Sequence, residues 1–535
     1  MNRPAIIIIV SVFTIGMCIA TPSLFAGTTW YVDDDAPNDP GPGNPAVSDP
    51  LEDGSAGHPF DAIQEGIDAA SGGDTVLVAD GTYTGNGNRG LDFNGKAITI
   101  RSENGRDSCI IDCEGSESDP HRGFYFHSGE SQNSVLQGLT IQNGLVNENA
   151  SPAYDGGGIY CIDASPTITD CNISYNIAVS YEGGGIYCQN SAMVITNSIL
   201  YQNMTVGGAG GGIYGTNASL EITGNIIDHN NGYYTGGICI SSGSPLIHNN
   251  AITANHADEG GGGIRCSGDA GAIISGNYIV GNSSTFGMGG GISCQDATIA
   301  NNFIHGNGCA SSSAGGIHCG DATITGNIIS ENHSDGQGGG IHCVDATITN
   351  CIITDNTSAS YQGGGIYCAS GAIIKNCLVA GNIAYSYSTS CGGGGIFGGS
   401  QIINCTIVDN LDMATSCGGV VTDGTIINSI IRGNTSAQIT GSPTVSFSNI
   451  EGGYSGTGNI DVNPLFVTGP EGVYYLLQPV SDGLSLISPC VDTGDPLSDM
   501  IHGTTRIDMV QDTGTIDMGF HYRPCIPSGH LLEEK

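Results

Sequence analysis

Positive charge is the scarcest property of this 535-residue chain: 12 Lys and Arg stand against 51 Asp and Glu, a formal net charge of −39. A surface that negative repels phosphate backbones and anionic headgroups at moderate salt, so no nucleic acid partner is expected. Charged residues of either sign make up only 12% of the sequence and hydrophobic residues 39%. Those two fractions exclude both a charged disordered tail and a helical protein built on Ala, Glu, Lys and Leu. After residue 20 no apolar run approaches the ~20 residues that a membrane helix needs, so no transmembrane span is expected in the mature chain. CxxC spacing is missing despite 20 cysteines, which removes the usual zinc sites.

The N-terminus has the form of a secretory signal. Arg3 lies in a short basic region, an apolar stretch follows from Ala5 to about Ala20, and Thr21 to Ala26 ends on a small residue before Gly27. Residues 1–26 are therefore read as a cleaved signal peptide, and the protein as secreted or cell-surface. The 87 glycines point to many short strands joined by tight turns.

Two short motifs alternate eleven times between Asp155 and Asn434. The first is Gly-Gly-Gly-Ile-aromatic-Cys, clearest at Gly156 to Cys161, Gly183 to Cys188, Gly338 to Cys343 and Gly363 to Cys368. The second is Ile-x-x-(Cys/Ser/Asn)-x-Ile-x-x-Asn, as in Ile168 to Asn176 and Ile324 to Asn332. Apolar residues two apart, separated by Gly, Asn, Asp and Ser, are the pattern of short strands and turns, with about 26 residues per repeat. Stacked in register at about 4.8 Å, such coils put Ile into continuous buried columns. The final Asn of each coil, at 176, 203, 230, 255, 282, 307, 332, 356, 382, 410 and 434, becomes a ladder of amides.

This repeat resembles that of the right-handed parallel β-helix, or pectin-lyase-like, superfamily over residues 59–450. The resemblance implies an all-β solenoid, and the superfamily it points to includes polysaccharide lyases, glycoside hydrolases, esterases, tailspikes and non-catalytic adhesins. Phe60, Ile63, Ile67 and Ala70 at helical spacing predict a capping helix over residues 58–70. Residues 27–58, rich in Asp, Pro and Gly, read as a loop or linker. Residues 451–535 resemble the C-terminal region that follows many secreted bacterial β-helices, a capping or anchor-like segment.

Seven cysteines (Cys161, Cys188, Cys266, Cys294, Cys319, Cys343, Cys368) share one repeat position and four (Cys171, Cys351, Cys377, Cys405) share another. In phase with buried Ile, they read as small core residues with unbridged thiols. Cys109 with Cys113, Cys391 with Cys417 and Cys490 with Cys525 are the pairs that remain for disulfides. Asp296, Asp321 and Asp345 recur in three consecutive coils, a row that could hold a cation, most naturally calcium; the alternative is a turn Asp bonding its own backbone.

The residue after the inward Ile of the Gly-rich motif points outward by strand alternation. Coil by coil it reads Tyr160, Tyr187, Tyr214, Cys239, Arg265, Ser293, His318, His342, Tyr367 and Phe397. In the enzymes that the chain resembles, substrate lies along the strand after the most variable loop, and the resemblance places it here. Aromatic faces in a row suit sugar rings, so Tyr160, Tyr187, Tyr214, Tyr367 and Phe397 are the expected substrate contacts; the alternative is ordinary stacking between coils.

Between Gly144 and Ile450 only Arg265, Lys375 and Arg432 are basic, which weighs against a pectate-lyase-like mechanism that must neutralise a uronate. Arg265 with His318 and His342 keeps it open. A glycoside-hydrolase-like reaction needs two carboxylates, for which Glu331 and Asp355 hold one position in adjacent coils; the signature elements of polygalacturonases are missing. The expected function is to bind or process extracellular polysaccharide, and the alternative is a non-catalytic structural or adhesive surface solenoid.

Overall fold

The computed structural model describes residues 27–36, 38–40, 47–150, 153–268, 271–385, 392–413, 417–478 and 486–523. The signal sequence, Cys391 and Cys525 lie outside them. The chain is an all-β, right-handed parallel solenoid of about 13 turns. A full coil has four short strands, as in Ile186–Gln189, Val194–Thr196, Ile199–Tyr201 and Met204–Val206. Each strand pairs with its counterparts one coil before and after, which gives four sheets. The sheet of the Gly-rich motif has 14 strands, the next two around the coil have 16 and 15, and the fourth has 11. We call the first of these the stripe sheet.

Register follows the repeat. Ile159 pairs with Ile186 and Ile186 with Ile213, so the inward isoleucines stack as expected. Each is fully buried, and burial of such a side chain contributes roughly 1.5–3 kcal/mol. The glycines before the Ile are there because neighbouring coils touch. A Cβ on Gly185 would lie 2.6 Å from the carbonyl oxygen of Gly212, and Gly183 has a φ of +68°. Only glycine meets both demands cheaply.

The Asn ladder is fully bonded. Asn230, for example, donates from Nδ2 to the Leu200 carbonyl oxygen and to Asn255 Oδ1, each at 2.9 Å, and its backbone N–H donates to the same Oδ1. A second run, Asn225, Asn250, Asn277, Asn302 and Asn327, repeats the pattern at the position that carries Cys or Ser in other coils.

The ladder cysteines are buried free thiols. Cys161 pairs in register with Cys188, Cys266 with Cys294 and Cys343 with Cys368. Cys343 Sγ to Cys368 Sγ is 3.3 Å, a hydrogen bond and not a covalent one. Burial pushes the Cys266 and Cys319 thiols well up, which makes them inert. Thiol titration of non-reduced protein in denaturant should find at least eleven reactive groups; four or fewer would show that the ladder is bridged. Cys109 and Cys113 are also free and buried, against the expected pairing.

Both ends depart from expectation. The helix is shorter than the helical spacing suggests, Ile63–Ala69, because Pro59 and Phe60 are held in extended form: the Phe60 N–H donates to the Tyr31 carbonyl oxygen at 2.9 Å. Ile63 and Ile67 are fully buried against the core. The segment read as linker contributes the first strand of the solenoid, Thr29–Val32, paired with Thr75–Val78. At the other end the sheets finish at Ile450, and the following chain runs back along the outside of the third sheet. There the Gly519 N–H donates to the Asn428 carbonyl oxygen, the Phe520 N–H to Thr406 Oγ1 and the His521 N–H to Asn376 Oδ1.

Candidate functional site

Alternation places the expected row on the outside of the stripe sheet, one residue per coil and in register from Tyr160 through Tyr187, Tyr214, Cys239, Arg265, Ser293, His318, His342 and Tyr367 to Phe397. Tyr125 extends it by one coil at the N-terminal end. The row is two ladders with a gap between them. Tyr160 stacks on Tyr187 with centroids 5.1 Å apart, and Tyr187 on Tyr214 at 5.6 Å. His318 stacks on His342 and His342 on Tyr367, both at 4.9 Å, and Tyr367 on Phe397 at 5.3 Å.

That geometry changes what the rings can offer. Tyr187 and Tyr367 each have a ring on both faces, so they present edges and not faces to solvent. Tyr160 and Tyr187 are 8% and 7% exposed, too little for a sugar to lie flat on them. The tyrosine ladder stops at Tyr214 and the second ladder begins at His318, both only partly exposed. Between them stand Cys239, Arg265 and Ser293. Four coil steps of about 4.8 Å make this gap roughly 19 Å long, about the length of a short oligosaccharide.

Arg265 is the centre of the gap. The arginine ion pairs of the described residues belong to Arg89, Arg432 and Arg506, and among those residues no carboxylate lies within 4 Å of Arg265. Burial holds His318 and His342 down to about 4, so both rings are neutral near pH 7. His342 Nδ1 is buried with no hydrogen-bond partner. The loops leading into the stripe sheet carry exposed apolar side chains along its rim: Tyr154, Tyr234, Phe286, Met288 and Tyr361.

The other expected residues are not gathered here. Glu331 and Asp355 sit at the turn after the third strand of their coils, both with positive φ, and belong to a different face from Arg265. Glu331 lies 3.9 Å from His305. Asp296, Asp321 and Asp345 are aligned at exposed positions just before the second sheet. Asp345 accepts hydrogen bonds from Ser370 Oγ and the Gly371 N–H of the next coil, so it ties two coils together and does not bond its own turn. Among the described residues, the one group of three or more such ligands whose atoms lie within 4.8 Å of one another is Asp33, Asp34 and Asp35.

Sequence reasoning missed a cluster at the start of the tyrosine ladder. The Arg122 guanidinium lies over the Tyr160 ring, 5.1 Å from its centroid, and donates from Nη2 to the Ala153 carbonyl oxygen. Its Nη1 is buried and unpartnered, and burial lowers the group to about 10, which leaves it charged. The Glu182 N–H donates to Asp155 Oδ1 at 3.0 Å. Burial, then the Asp155 carboxyl, pushes Glu182 up to about 7. The signal for that pair was in the repeat, because Asp155 and Glu182 both stand one residue before the Gly-rich motif.

A raised folded-state pKa means that Glu182 favours the fold while protonated and loses that contribution as pH rises through about 7. The Glu182→Gln variant should therefore match the parent at pH 5 and melt about 1–2 °C higher at pH 8. A variant that melts lower than the parent at pH 8 would mean that the carboxylate is stabilising as the anion.

A coil geometry of this kind, with its variable loops leading into one sheet, defines the class: the protein has the fold of the pectin-lyase-like, right-handed parallel β-helix superfamily. The family profile described as "Right handed beta helix region" matches residues 157–320. No curated protein matches the chain. Among solved structures it is similar to pectate lyase Pel9A, at 14% identity and a TM-score of 0.25 over 93% of this chain and 97% of that one. It is also similar to the A-module of the Azotobacter vinelandii mannuronan C-5 epimerase AlgE6, at 12% identity and a TM-score of 0.22 over 75% and 94%. The receptor-binding domain of the Siphovirus 9NA tailspike follows at 14% and 0.18, over 81% and 80%. The assignment rests on the coil itself, and these likenesses are of fold alone. Among the described residues no helix is long and apolar enough to cross a membrane.

Proposed function

We propose that the protein is exported and binds or processes extracellular polysaccharide on the stripe sheet, with the gap from Tyr214 to His318 as the point of contact. The observation that carries this reading is Arg265. In a chain with 51 acidic and 12 basic residues, it faces outward from the middle of a sheet and forms no ion pair among the described residues. A guanidinium in that setting can hold a carboxylate through two hydrogen bonds, which favours a uronate-containing chain. Tyr214 and His318, the terminal rings of the two ladders, flank it at a separation that suits a few sugar residues. His318 and His342, neutral near pH 7, can accept a proton once a substrate is in place.

A second reading, a non-catalytic structural or adhesive solenoid, draws support from the rings whose faces are already used within the two ladders. A screen of acidic and neutral polysaccharides separates the two. Unsaturated ends would mark a lyase, new reducing ends a hydrolase, and binding without either an adhesin. No binding to any member would overturn the polysaccharide reading.

A further inference from the structure

The third sheet carries an apolar row on its outer face, and only half of that row is covered. It runs in register from Ile199 and Ile226 through Tyr278 and Ile328 to Leu378 and Ile430. Over the last coils the C-terminal region packs on it: Leu378 is 4% exposed and Ile430 fully buried, against Phe520, Tyr522 and Met518. Before those coils the cover stops, and Ile226 and Tyr278 are each 46% exposed and Ile328 42%. Single exposed apolar side chains are ordinary, whereas a continuous row of them marks a surface that something meets.

A second feature beside the row says what kind of partner that is. Two residues before the row stands a turn Asn with positive φ, and beneath the C-terminal region this Asn binds peptide backbone. Asn376 Oδ1 accepts from the His521 N–H at 2.7 Å, and its Nδ2 donates to the His521 carbonyl oxygen at 2.9 Å. Asn404 Nδ2 donates to the Asp517 carbonyl oxygen, and Asn428 Oδ1 accepts from the Asp495 N–H. All three are buried. The same position holds Asn197, Asn249 and Asn301 in the uncovered coils, and there the residue is exposed. Turn conformation alone accounts for an Asn at this position. It does not account for an uncovered apolar row beside it.

We propose that the uncovered coils from Ile199 to Ile328 are a docking track for an extended polypeptide of a partner protein. It is held as the C-terminal region is held further along the same face, with apolar or aromatic side chains on the row and backbone amides on Asn249 and Asn301. Charge complementarity adds a sign. Between Gly144 and Lys375 the one basic residue is Arg265, on the stripe sheet, while Asp228 follows Ile226 on the same face and Glu331 follows the strand of Ile328. A partner segment with Lys or Arg and no acidic residue is therefore favoured. The Arg523 guanidinium already reaches Asn301 Oδ1 and Thr325 Oγ1 at the edge of the track, both at 3.4 Å. Five coil steps of about 4.8 Å make the track roughly 24 Å long, room for about seven extended residues. The track lies on a different sheet from the Arg265 gap and does not depend on what that gap binds.

The C-terminal region supplies the probe. Fluorescein-labelled, amidated Met-Gly-Phe-His-Tyr-Arg, the sequence of Met518 to Arg523, has two rings, a positive charge and no acidic residue. Full-length mature protein, whose own copy of this sequence stays in place, should bind it saturably, and a soluble polyuronate should not displace it. Asn249→Gly/Asn301→Gly, which keeps the turn unstrained, should weaken binding at least tenfold. Ile226→Ser/Tyr278→Ser, at exposed positions, should do the same while keeping the parent circular dichroism. Arg265→Ala should change nothing. No saturable binding, binding untouched by both double variants, or binding lost with Arg265→Ala would each overturn the proposal. A dimer in sedimentation that Ile226→Ser/Tyr278→Ser dissolves would overturn it in favour of a second copy of the chain. Binding that appears only when residues 524–535 are deleted would overturn it in favour of the chain's own C-terminal residues.

Discussion

Lowering the pH from 7 to 4 is expected to destabilise this solenoid by about 2–3 kcal/mol through two histidines alone, and His318→Tyr/His342→Tyr is expected to remove that loss. The folded-state pKa of each ring is lowered from 6.5 to about 4, so each contributes stability that is present above about 6.5 and lost as pH falls towards 4. Two shifts of that size sum to roughly 6 kcal/mol as an upper bound. Partial exposure and the coupling of two rings 4.9 Å apart reduce it. Tyrosine keeps the ladder with Tyr367 and does not gain a charge in this range. Melting temperature against pH, parent minus variant, should open by roughly 2–3 °C between pH 7 and 4. Parallel curves would show that the imidazoles stay solvated when protonated.

Asn307→Ala should cost about 3–5 kcal/mol, the largest effect expected of any single polar substitution. Its Oδ1 accepts from both the backbone N–H and Nδ2 of Asn282, and its Nδ2 donates to the Ile279 carbonyl oxygen and to Asn332 Oδ1. Truncation leaves buried groups on both neighbouring coils unpaired, each costing ~1–3 kcal/mol. Thr298→Ala, at an exposed position in the same region, should stay within about 0.5 kcal/mol. Since coils contact only their neighbours, hydrogen exchange should accelerate first at Asn282 and Asn332. A loss below 1 kcal/mol would mean that water replaces the amide and that the ladder is not what holds the coils in register.

The fold was legible because its period is written in the sequence. Ile159, Ile186 and Ile213 could be aligned by eye, and alternation then fixed which side of the strand Tyr160 and Arg265 would take. Three things were not legible. Thr29–Val32 has no repeat signature, and what makes it the first strand is pairing with Thr75–Val78, a contact across 46 residues. Sequence could place Tyr187 outward but not show that its two faces are covered, because ring stacking depends on rotamers shared across coils. Arg122 lies before the regular repeats, so a count of basic residues within them passed over it. Acidic residues misled in the opposite way: Glu331 and Asp355 share a position in the repeat and still sit at a turn away from Arg265.

The measurement that bears most directly on the functional reading is affinity for a panel of soluble polyuronates and neutral glycans, compared across four variants. Arg265→Ala and Tyr214→Ala should lower affinity for the acidic members at least tenfold without changing the melting temperature by more than a few degrees. Tyr187→Ala and Tyr367→Ala should act mainly on stability, because each removes a ring stacked on both faces. Binding that all four substitutions leave unchanged would contradict the account and place the contact surface elsewhere on the solenoid.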